Sequence, residues 1–151
     1  MTVHIRKPPR EIQMIVVHCS DSKWGDAEVI DGWHRQRGFD SCGYHAVICN
    51  GFAKGSKNYN PHDDGLIQPG RDPSVQGAHV RGHNQTSLGV CLIGIDEFTP
   101  KQFEALTALL GVWTAIYSVP ADMVLGHNVL DSKKTCPNFG VQEWYLPMVS
   151  Q

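Results

Sequence analysis

The sequence predicts an α/β fold, a single mixed β-sheet flanked by helices, and three observations lead there. Short apolar runs rich in β-branched residues recur at 12–18, 44–49 and 87–94. Two stretches carry helix signals, at 26–37 and 100–118. The 151 residues are 41% apolar and 19% charged, which suits one packed domain with one core. Strands that alternate with helices in this way form one continuous sheet with the helices packed on it.

The elements follow in order. Residues 1–11 read as an N-terminal arm ahead of a domain that occupies the rest of 1–151. The run IQMIVVH, 12–18, reads as a buried strand ending in His18, and a polar turn follows it. DAEVIDGWHRQR, 26–37, reads as a short helix that starts near Asp26 and is stopped by Gly38, with Trp33 anchoring it to the sheet. YHAVIC, 44–49, is a second strand closed by the turn pair Asn50-Gly51. Residues 53–65 are too rich in Gly, Asn, Pro and Asp to pack, so they form either a rim over a groove or a long hairpin connection. LIQPGRD is a short strand running into a turn, where Arg71 and Asp72 are candidates for an ion pair. SLGVCLIG, 87–94, is a central strand. Thr99-Pro100-Lys101-Gln102 then combines a capping threonine, a proline at the first helical position and a glutamine three residues after the cap. Phe103, Leu106, Leu109, Leu110, Trp113, Ile116 and Tyr117 continue the helical spacing. MVLGHNVL is a further short strand or turn, and VQEWYLPM is a closing helix.

Composition excludes several classes. No apolar run approaches the roughly 20 residues a membrane span needs. The net charge is -2 and no basic stripe with interleaved aromatics occurs, which argues against nucleic acid as the ligand. The basic residues near the N-terminus are followed by no apolar segment, so synthesis in the cytoplasm without an export signal is expected. Five cysteines, an odd number, argue against a disulfide framework. Cys49 and Cys91 sit in apolar runs and read as small buried side chains, whereas Cys136 lies in the polar stretch KKTCPNFG.

Eight histidines are many for this length. His18 closes a strand, His127 follows a short apolar run, and Cys136 comes nine residues later. Two imidazoles and a thiolate suit a zinc ion with its fourth position open, the arrangement of a catalytic rather than a structural site. Spacing alone leaves a second reading open, in which both histidines are surface or core groups and Cys136 is a loop thiol. His4, His34, His62 and His83 read as surface groups, and Lys133 as solvated.

The ordered series IVVHCS, WH, GYHAVI, GRD, GAHV, NQTSLGVCLIG, TPKQF, LGHNV and KTCP, over about residues 12–145, resembles the zinc-dependent N-acetylmuramoyl-L-alanine amidases. These type 2 amidases are relatives of peptidoglycan recognition proteins, and the likeness is greatest to small phage endolysins. The resemblance implies a zinc site in a cleft at one edge of the sheet, with one Zn2+ per chain held by His18, His127 and Cys136. It implies catalytic roles for Tyr44 and Lys134, and places for His45 and His79 among the cleft's substrate contacts. It implies peptidoglycan as substrate and partner, a monomer, and action on the cell wall after lysis or holin-mediated release. Some small phage amidases also bind and inhibit an RNA polymerase, which would be a second partner. A non-catalytic peptidoglycan-binding module is the alternative, although such modules usually lack a complete ligand set. Compared with the small phage amidases, 53–65 looks extended, and the span from His127 to Cys136 looks one residue longer, which bears on the placement of Lys134.

Overall fold

The computed structural model describes residues 10–150. The expected N-terminal arm lies outside the described residues except for Arg10 and Glu11, and so does His4. Five strands form one sheet: β1 Met14–Cys19, β2 Ala46–Asn50, β3 Asp64–Pro69, β4 Ser87–Leu92 and β5 Val124–Gly126. Their spatial order is β3-β2-β4-β1-β5. β1 runs parallel to β4 and β5, and β2 runs parallel to β4, while β3 lies antiparallel to β2 at the edge. The mixed sheet flanked by helices is therefore as expected.

Strands β1, β2 and β4 are buried along their whole length, which is why they read as continuous apolar runs. Side chains still alternate between the two faces. Ile15 and Val17 face a core built with Leu106, Leu110 and Trp113 of α2 (Pro100–Tyr117) and with Val141 and Tyr145 of α4 (Val141–Val149). Met14 and Val16 point the other way, against Val80 and Leu125. His18 shares that second face and pairs in register with Cys91. On the same face α1 (Ala27–Gln36) packs Ile30 and Trp33 over Val47, Cys91 and Ile93, so the anchoring role of Trp33 holds.

The capping box forms as expected. The Thr99 side chain accepts from the Gln102 backbone N–H at 3.0 Å, and Gln102 Oε1 accepts from the Thr99 N–H at 2.9 Å. Gln102 does more than cap: fully buried, its Nε2 donates to the carbonyls of Ile48 and Ile93 and ties α2 to the ends of two strands. The first strand starts and ends slightly later than read, so His18 is its penultimate residue. MVLGHNVL divides into β5 and a single helical turn, α3 His127–Leu130. Residues 53–63 belong to a long hairpin connection between β2 and β3, in which Tyr59 packs on Phe52 and donates to Asp64, the first residue of β3, at 2.6 Å.

Arg71 and Asp72 do not form an ion pair. Arg71 Nε donates to the Cys42 carbonyl at 2.9 Å and its Nη1 to the Gln76 carbonyl, while Asp72 accepts from Ser74. The guanidinium closes two loops by their backbones, a job that a carboxylate partner would compete with.

Candidate active site

His18 and His127 reach one point from neighbouring parallel strands. His18 is held on β1, and His127 stands immediately after β5, the strand paired with β1. Their rings lie 4.6 Å apart, centroid to centroid. Cys136 arrives on the loop after α3, which is fastened by the Asn128 N–H to the Cys136 carbonyl at 2.8 Å. One donor atom from each of His18, His127 and Cys136 falls within 4.8 Å of the other two. The Cys19 backbone N–H donates to Cys136 Sγ at 3.0 Å, so the sulfur's position is set by the strand that carries His18.

These residues fit a zinc ion by the chemistry of their donors. Two nitrogens and a sulfur at this spacing can close around one cation with small side-chain movements and leave one position open. Burial holds His18 well below its usual pKa, and burial lowers His127 too, so both rings keep a lone pair to offer. The Cys136 thiol is pushed up, first by its contact with Cys19 and then by burial, so a thiolate there calls for a positive charge between the three groups.

The three groups open into a cleft of about 990 Å³. Tyr44, His79 and Lys134 line it together with His34, Arg37, Arg81 and Lys133. The Tyr44 ring lies 5.0 Å from that of His18. Burial is the main cause that keeps its phenol protonated well above the usual range. Lys134 is exposed and lines the same cleft as His18, His127 and Cys136. None of residues 53–65 lines this cleft, so the long connection is not its rim.

The N-acetylmuramoyl-L-alanine amidase family model matches residues 8–139. The chain belongs to this family. An endolysin of Enterobacteria phage K11 is 35% identical over 146 residues, covering 89% of this chain and 86% of the relative. An endolysin of Klebsiella phage KP32 is 36% identical, covering 90% and 87%. Among solved structures, the N-acetylmuramoyl-L-alanine amidase LysC from Clostridium intestinale superposes with a TM-score of 0.78 at 24% identity, over 93% of this chain and 87% of that one. Drosophila PGRP-LB gives 0.67 at 24% identity, over 97% and 85%. These two structures speak for the fold.

Within the amidase fold, the residues expected to touch substrate separate into two groups. His79 lines the cleft, held in a slot where a Cβ at Gly89 would come within 2.7 Å of its ring. His45 does not. It sits behind His79, buried, with Nδ1 accepting from the Gly89 N–H at 3.0 Å and Nε2 against the Val75 carbonyl at 2.8 Å. A ring with both nitrogens taken by backbone supports the site and has nothing left for substrate. His34 is also misplaced by the sequence reading. It is 6% exposed, and its Nδ1 accepts from the Gly43 N–H at 2.8 Å, which fixes the turn that delivers Tyr44. Gly43 is obligatory there, because a Cβ would lie 2.1 Å from the Ala78 carbonyl oxygen. Cys19, Arg10 and Ser87 escaped notice altogether. Arg10 donates to the carbonyls of Pro73, Asn84 and Ser87 and reaches His45 at 3.1 Å, so it clasps the segment that carries His79.

Burial lowers the pKa of His45 to about 4 and that of His79 to about 3. An unfolded histidine takes up its proton near 6.5. Below that pH the unfolded chain binds protons that the folded one refuses. The stability is therefore complete above pH 6.5 and is lost as pH falls, by up to about 1.4 kcal/mol per pH unit for each ring. Urea midpoints are expected to drop continuously from pH 7 to pH 4.5. A flat profile over that range would show that the two rings are not buried as neutral groups.

Proposed function

We propose that this amidase is a zinc-dependent endolysin that hydrolyses the amide joining the lactyl group of N-acetylmuramic acid to L-alanine of the stem peptide. The observation that carries the reading is the convergence of His18, His127 and Cys136 at the floor of a cleft that also presents Tyr44 and Lys134. The phage endolysins that match along most of the chain support the biological setting.

His18, His127 and Cys136 would hold the zinc. Bound there, the ion supplies a Lewis acid that polarises the scissile carbonyl and brings the pKa of a water near 7. Water adds to the carbonyl carbon, the C–N bond breaks, and the amine leaves with a proton as the new amino terminus of L-alanine. Lys134 contributes a cationic N–H donor toward the negative charge that develops on the carbonyl oxygen, an interaction stronger in the transition state than in bound substrate. Tyr44 stays a phenol in its buried setting and orients the attacking water or the oxyanion through its O–H. His45 and His34 hold the walls that carry these groups. Arg37, Arg81, Lys133 and Lys134 make the cleft cationic, with Asp21 as the opposing carboxylate among the lining residues. That field suits a stem peptide bearing free carboxylates.

The complete ligand set favours catalysis over a binding module. The test is digestion of purified sacculi with and without a chelator. Release of L-alanine amino termini without new reducing sugars, abolished by the chelator and restored by zinc, is the expected result. Reducing ends that persist in chelator would mean a glycosidase. Binding without release of either would mean a recognition module.

A further inference from the structure

Behind the cleft a row of hydrogen bonds has only one consistent direction. Ser87 is fully buried at the start of β4. Its Oγ lies 2.7 Å from the His83 carbonyl oxygen, which can only accept, so the hydroxyl proton is committed there. The same Oγ lies 3.2 Å from His79 Nε2. With its proton already given away, the oxygen must accept, so His79 carries its hydrogen on Nε2. His79 Nδ1 is then a bare acceptor. It lies 2.8 Å from His18 Nε2, which must therefore be the protonated nitrogen of His18. The lone pair of His18 is left on Nδ1, the nitrogen 4.0 Å from Cys136 Sγ.

The scaffold around the row holds it in place. The His79 N–H and the Val80 N–H both donate to Asn84 Oδ1, at 2.9 Å each. Gly77 and Gly89 flank the His79 ring so tightly that a Cβ at either would come within 2.7 Å of it. The ring is free neither to flip nor to swing out.

We propose that Ser87 and His79 are positioning residues that lock His18 as its Nε2–H tautomer, so that a backbone carbonyl three groups away sets the affinity of the site for metal. The proposal rests on the metal reading given above. Outer partners of this kind change metal affinity by about 10–100-fold. Without Ser87 the His79 ring can carry its hydrogen on Nδ1 instead. It would then donate to His18 Nε2 and drive the His18 hydrogen onto Nδ1, where it blocks the ligand lone pair.

Two measurements on the full chain test this, the first on the metal-free chain, because bound zinc would itself fix the His18 tautomer, and the second with zinc. Long-range proton–nitrogen spectra of the imidazoles are expected to show His18 and His79 each protonated on Nε2 alone, and a mixed His79 pattern in Ser87→Ala. A wild-type His79 protonated on Nδ1 would overturn the relay. Zinc affinity, read by competition with a chromophoric chelator, is expected to fall about 10–100-fold in Ser87→Ala and His79→Leu. His79→Gln, whose carbonyl oxygen can still accept from His18, should stay within about tenfold of wild type. Wild-type affinity in Ser87→Ala and His79→Leu would overturn the relay and leave the metal site standing. A wild-type chain that takes up no zinc would overturn both. If Ser87→Ala does not fold, the His79 pair and the wild-type spectrum still decide.

Discussion

Cys136→Ser is expected to give a folded chain that no longer retains zinc and hydrolyses sacculi more than about a thousandfold more slowly. The sulfur is half-buried in the lining of the cleft, and serine removes volume without adding any, so packing tolerates the change. The Cys19 N–H that now donates to sulfur can donate to a hydroxyl oxygen instead. What cannot be replaced is charge. A thiol yields a thiolate beside a cation at neutral pH, and a serine hydroxyl does not, so the variant offers two neutral imidazoles where wild type offers two imidazoles and an anion. Metal content after gel filtration, read beside circular dichroism, checks this. Full zinc occupancy in the variant would remove Cys136 from the site and with it the proposed function. Loss of the circular dichroism signal together with the metal would show that zinc also supports the fold.

The parts of this site that could be read from sequence are those whose signal is local. β1 and β4 announced themselves as apolar runs, and α2 through its capping box, because both signals reside in a few adjacent residues. His18 was legible as a residue at a strand end, but its facing into the cleft follows from its register with Cys91, a pairing made across 73 positions. His34 lies one turn after buried Ile30 on the inner face of α1, packed against Phe39 and Tyr44, and its Nδ1 accepts from the Gly43 N–H, a backbone partner that no local pattern announces. The resemblance assigns His45 to the cleft's substrate contacts, but both of its ring nitrogens are held by backbone groups of Gly89 and Val75, and no short motif reveals such long-range partners. Ser87 carries no local signal. Its weight comes from a carbonyl four residues back and a ring eight residues back, brought together by the turn at Asn84–Thr86.

Lys134→Ala should lower kcat by about 10²–10³-fold while KM changes little, and the neighbouring Lys133→Ala should leave both nearly untouched. Both lysines are exposed and both line the cleft, so a general loss of positive field would affect the two variants alike. They differ in their surroundings. The Lys134 N–H donates to the Asp131 carbonyl at 3.0 Å, closing a turn after α3, and its charge is among those acting on His127. The Lys133 N–H donates to Asp131 Oδ1 at 3.0 Å in the same turn. A donor aimed at the developing oxyanion acts after substrate is bound, so its removal appears in kcat. A residue that only attracts an acidic stem peptide acts before chemistry, so its removal appears in KM and fades as salt rises. Lys134 has little packing to lose, so unchanged thermal stability should accompany the kinetic defect. An equal rise in KM for both variants, with kcat intact and the effect abolished by salt, would reassign Lys134 to substrate capture and leave Tyr44 as the remaining protein donor to the oxyanion.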